Sequence, residues 1–147
     1  METDSPDLGK PEPSKTDAGI EGDANNPKPF IDIRERAFAF AVRIIKLCQF
    51  LEKHKMASRL VINQLLSAGT SIGANLEEAR AGQSKADFIH KNAISLKEAR
   101  ETRYWLRLIL ATTDFEKKFR QGVEELESES LAIARIIGKI IVTSKNK

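Results

Sequence analysis

Arg100, Arg103 and Arg107 fall at i, i+3 and i+7, with Lys91 and Lys97 ahead of them and Tyr104 and Trp105 interleaved. On a helix that spacing makes one positive edge, and cations beside an aromatic ring are the chemistry that grips phosphates and stacks on bases. Lys97, Arg100, Arg103 and Arg107 are therefore the candidate contacts to RNA or DNA. The competing use of the same residues is structural. Glu98, Glu101 and the acids Glu124, Glu125, Glu127 and Glu129 supply enough counter-charge to pair with them across the fold or between subunits.

Other chemistry lacks its ingredients. A metal site needs clustered His, Cys or carboxylate ligands, and His54 and His90 are isolated. The di-iron pattern of helical bundles wants Glu-x-x-His, but Glu78 and Glu98 are followed at that spacing by Ala81 and Glu101. The glycines show no phosphate-loop spacing, and no Ser-His-Asp or Cys-His set is evident. The reading is of a binding protein with no catalytic residues, no metal and no cofactor. Cys48 sits among Ile44, Ile45, Leu47 and Phe50 and reads as inert core packing. A single cysteine excludes an intrachain disulfide and suits a reducing cytoplasm.

The elements that must position the arginine row follow from the placement of proline. All five prolines lie in the first 29 residues, with Gly9, Gly19 and Gly22 and few apolar residues. Residues 1–29 read as a disordered acidic tail that has no core to join. The tail holds three cations against seven acids, net −4, which leaves +7 of the total +3 for residues 30–147. A basic body is compatible with a polyanion partner. The opening Met1-Glu2-Thr3-Asp4 does not read as a secretory signal, and no apolar run is long enough to span a membrane.

Beyond Pro29 four helices are expected. Asp32 with Glu35 caps the first, whose stripe is Ala37, Ala41, Ile44, Cys48 and Leu51, closing on Lys53-His54-Lys55. Ser58 caps the second, with Val61, Leu65, Ala68, Ile72, Leu76 and Ala79, and Gly82 stops it. Ser84 with Asp87 opens the third, which runs to about Ala111. Thr113 with Glu116 opens the fourth, whose heptad is Phe119, Val123, Leu126, Ser130, Ile133, Ile137 and Ile140. The fold class is all-α, an antiparallel up-down four-helix bundle over residues 30–147. Helix 1 carries Phe38, Val42 and Ile45 beside its stripe, and helix 2 carries Ile62, Leu66, Gly69 and Gly73. Second apolar faces of this kind predict self-association into a closed homo-oligomer.

The run Ser71-Ile72-Gly73-Ala74-Asn75-Leu76-Glu77-Glu78 is followed by Ser84 with Phe88 and by Ser95 with Glu98. It resembles the small bacterial four helix bundle protein family, first noticed as reading frames within intervening sequences of large-subunit ribosomal RNA genes. The matching positions are Ser71, Ile72, Ala74, Asn75, Glu78, Ser84, Phe88, Ser95 and Glu98, within a likeness that spans about residues 30–143. Glu78-Ala79 stands where Glu-Gly is commoner, and Ile94-Ser95 where Gly-Ser is usual, which suggests a subgroup. The resemblance implies a homo-oligomer, a pentameric barrel of bundles. It also implies kinship with accessory proteins that bind a reverse transcriptase and nucleic acid in diversity-generating retroelements. Ser71, Asn75 and Glu78 share one helical face. Opposite the hydroxyls of helix 3 they are expected to form a hydrogen-bonded network that sets the register of the bundle.

Overall fold

Helix ends in this chain are set by short polar side chains. In the computed structural model, which describes residues 5–8 and 32–147, Asp32 accepts a hydrogen bond from the Arg34 backbone N–H at 2.9 Å and starts α1 (Ile33–Lys53). Ser58 accepts from the Val61 N–H and starts α2 (Arg59–Arg80); Ser84 accepts from the Asp87 N–H and starts α3 (Lys85–Thr112). Each cap satisfies an amide with no partner inside its helix. The Arg34 guanidinium beside Asp32 also holds that carboxyl below the usual carboxylate range.

The fourth helix begins later than its sequence signals suggest. α4 (Lys117–Lys145) is preceded by Glu116, which makes no side-chain cap, and Thr113 instead closes α3 in an extended conformation. Apolar burial overrides the capping pair here. Phe115 is buried with its ring 5.3 Å from that of Phe119, so residues 113–116 must turn to plug the end of the core. Gly82 follows the C-cap Ala81, where a left-handed glycine would stand, but its φ is not positive, so α2 stops without one. The left-handed residue lies instead after α1. Lys55 has φ 51°, its N–H bonds the Glu52 carbonyl, and the Met56 N–H bonds the Leu51 carbonyl at 2.9 Å. That paired closure normally employs glycine.

The four helices pack as a ring of antiparallel neighbours. Gly73 lies against Ala37 and Gly69 against Ile44 between α1 and α2. Ser95 reaches the Ile72 carbonyl between α2 and α3, and Arg103 reaches Glu127 between α3 and α4. Arg36 pairs with Glu129, and Phe50 stacks 4.4 Å from Phe119, between α4 and α1. The core is aliphatic, built on Ile44, Leu47, Leu51, Leu65, Ile72, Leu106, Leu126, Ile133 and Ile137, with Phe40 its largest fully buried ring. The heptad of α4 is buried through Ile137, as its spacing predicts, and Ile140 is half-buried.

Two sequence expectations change at this level. Ile62 and Gly69 on α2 are buried, Gly69 lets α1 approach closely and Gly73 packs against Ala37, so much of the second face of α2 serves packing within the chain. The second face of α1 stays open: Phe38 is 71% exposed, Ile45 38%, and Val42 lies half-buried between them. The proposed tail falls outside the described residues except for Ser5–Leu8. There the expectation of no core contact does not hold, since Leu8 is buried and joins the core. Among the described residues no helix is long and apolar enough to cross a membrane.

Candidate nucleic-acid interface

A helix that is packed on two sides keeps one strip for solvent. α3 buries Asn92, Ser95, Ala99, Thr102, Leu106 and Ile109, and turns Lys97, Arg100, Tyr104 and Arg107 outward at steps of three, four and three. Tyr104 is 54% exposed and stands between the two arginines on this strip. The strip rises about 15 Å from Lys97 to Arg107 at 1.5 Å per residue.

Arg103 does not belong to it. At 100° per residue Arg103 lies about 40–60° nearer the buried stripe than Arg100 or Arg107. It is half-buried, and its Nε donates to Glu127 Oε1 on α4 at 2.7 Å. Lys91 is likewise committed, with Nζ 2.6 Å from Glu78 Oε2. Lys97, Arg100 and Arg107 have no ion-pair partner among the described residues. Two acids lie close by in sequence, Glu98 and Glu101. The Trp105 indole N–H donates to Glu101 at 3.4 Å, and burial raises the pKa of Glu98 above its ordinary value, helped by Glu101 and opposed by Lys97. Trp105 is partly buried and meets Tyr104 edge-on at 5.4 Å, which braces the exposed phenol.

The sequence row of three arginines thus becomes a row of two, with a lysine and a tyrosine. The signal for this was present in the chain. A buried stripe through Asn92, Ser95, Ala99 and Thr102 already places Tyr104 outward and Arg103 at its flank.

The motif residues of α2 and α3 act separately, not as one network. Ser71 Oγ donates to the Ser67 carbonyl at 2.6 Å and Asn75 Nδ2 to the Ser71 carbonyl at 2.8 Å, both within α2. Glu78 is exposed and binds Lys91. Ile72 is buried and Ala74 exposed; Ser84 caps α3, and Phe88 is half-buried in its first turn. Besides the exposed Glu78–Lys91 pair, Ser95 crosses between helices, donating at 2.8 Å to the Ile72 carbonyl while fully buried. The Glu98 backbone carbonyl accepts from Thr102 Oγ1 at 2.7 Å. The network fails because Ser71, Asn75, Asn92 and Thr102 each find a backbone carbonyl of their own helix one turn away, at no cost in side-chain ordering across the bundle.

Cys48 is buried with Sγ 3.8 Å from the Ile62 carbonyl, and burial pushes its thiol up to about 12. Both histidines are exposed, and His54 lies 4.4 Å from the Phe50 ring.

Comparison with known proteins agrees with the bundle. A protein of unknown function from the S23 ribosomal protein family of Bacteroides thetaiotaomicron, known from its crystal structure, is 39% identical. The match covers 75% of this chain and 98% of that one, with a TM-score of 0.68. No curated protein is detectably similar. Residues 31–139 match the family described as 23S rRNA-intervening sequence protein. That span takes in all of α1, α2 and α3 and most of α4, and the chain belongs to the 23S rRNA-intervening sequence protein family.

Proposed function

We propose that this protein is a non-enzymatic, self-assembling binding protein that holds RNA on the outer strip of α3. The supporting observation is the exposed row Lys97, Arg100, Tyr104 and Arg107, whose cations form no ion pair among the described residues. Two guanidinium groups flank a phenol on one face, so a single strand can lay phosphates on the arginines and a base on the ring. The family description names 23S rRNA, which makes RNA the first polyanion to test. Self-assembly, as the pentamer that the family likeness implies, is supported by the open face of Phe38, Val42 and Ile45 on α1. Copies of one weak strip on a closed ring act together through effective concentration.

The alternative is a purely structural or protein-binding oligomer. The Arg103–Glu127 pair favours it, because one member of the sequence row is spent inside the bundle. Binding of labelled single-stranded RNA across a salt series separates the two. Replacing Arg100 and Arg107 together by glutamine should lower the salt slope by about 1.4 if each contacts one phosphate of a single strand. Tyr104→Ala should weaken binding with the slope unchanged. Wild-type protein that binds neither single strands nor duplex at low salt would leave the structural reading.

A further inference from the structure

The seam between α1 and α4 is built unlike the other three. There Leu8, 35 residues away in sequence, is inserted between Arg43 of α1 and Gly122 of α4. Arg43 is buried, and its Nε and Nη2 both donate to the Leu8 carbonyl, at 3.0 and 2.7 Å. Glu125 Oε1 on α4 is more distant, at 3.7 Å from Nη2. The Leu8 side chain is buried against Gly122, where a Cβ would come within 3.1 Å of the Leu8 Cβ. A glycine inside a long helix weakens it relative to alanine; here its absent side chain is the floor of the groove. Asp7 adds attraction toward the Arg43 guanidinium.

These are the parts of a peptide-recognition site: a fork of donors for a main-chain carbonyl, a hollow for one aliphatic side chain, and a cation for a preceding acid. We propose that the α1–α4 groove is a peptide-binding site and that Ser5–Leu8 of the same chain is its tethered occupant. Burial of one leucine and one charge-assisted carbonyl contact are gains of the same order as the entropy of ordering four residues. The latch is therefore exchangeable, and its closure relies on the tether. A tether of a few tens of residues supplies an effective concentration of about a millimolar, which keeps the groove closed against a free peptide of weaker standing. The surface used is distinct from the α3 strip, so the groove stands or falls independently of RNA binding.

The test uses the full chain and a fluorescent peptide of residues 1–10 as probe, followed by anisotropy. Leu8→Asp in the protein empties the groove. It should bind the probe about 10-fold more tightly than wild type does, the factor by which a millimolar competitor masks a site of ~100 μM affinity. Adding Gly122→Ala to Leu8→Asp narrows the hollow while favouring the helix, and should weaken probe binding several-fold with helical content kept. A probe carrying Leu8→Asp should not bind. Equal binding by wild type and Leu8→Asp, no binding by either, or binding left unweakened by Gly122→Ala would each overturn the proposal.

Discussion

Gly69→Ala tests the closest approach in the bundle. An added Cβ would lie 2.8 Å from Cγ2, 3.1 Å from Cγ1 and 3.2 Å from Cβ of Ile44, which is fully buried on α1. None of these atoms is the free end of a flexible chain. Cγ2 and Cγ1 both hang on a β-branched carbon with few allowed rotamers, so relief requires α1 to move by most of an ångström. Overpacking of this kind costs about 1–3 kcal/mol, whereas glycine to alanine inside a helix returns about 0.5–1 kcal/mol. The net expectation is a loss of about 1 kcal/mol. Two controls separate the terms. Gly73→Ala places its Cβ at an ordinary 3.6 Å from Ala37, and Gly138→Ala meets nothing within 4 Å, so both should gain stability by about 0.5–1 kcal/mol. Urea unfolding at one fixed protein concentration reads the series. With a slope of about 2 kcal/mol per molar, Gly69→Ala should unfold about 0.5 M earlier than the parent and Gly138→Ala slightly later. Ile44→Ala should then cost less in the Gly69→Ala background than alone, since the smaller side chain makes room. If Gly69→Ala stabilises as much as Gly138→Ala, with no coupling to Ile44, the close α1–α2 contact is wrong.

Lys55 occupies the left-handed position of the α1 closure, so Lys55→Gly should raise the unfolding free energy by about 0.5–1 kcal/mol, with loss of stability refuting the assigned backbone. Burial that pushes the Cys48 thiol up to about 12 leaves roughly one part in ten thousand ionised at pH 8, against about a tenth or more for an ordinary thiol. Alkylation of the folded protein should therefore run at least about 1,000-fold slower than in denaturant, and labelling within minutes in native buffer would show that Cys48 is accessible.

The four helices were legible because their information is local. Proline confined to the first 29 residues, caps at Asp32, Ser58 and Ser84, and stripes at steps of three and four each act within a few residues of themselves. The start of α4 was misplaced because its capping pair competed with the burial of Phe115, a demand that exists only once the core is assembled. The arginine row was legible as a cluster but not in its membership. Spacing puts Arg100, Arg103 and Arg107 on one broad face with Arg103 at its flank, and the arrival of α4 with Glu127 decides that Arg103 is spent in a pair. Likewise the second face of α2 looked free until α1 packed against Gly69 and Gly73. Leu8 and Arg43 carried no periodic signal at all. A single leucine among prolines and acids and one arginine on the apolar side of α1 acquire meaning only when the fold brings them within 3 Å, across 35 residues of chain. Helix and stripe arise from short-range sterics and solvation, which sequence by itself determines. Pairing, burial of charge and the shape of a groove depend on which surfaces meet, and only the tertiary structure decides that.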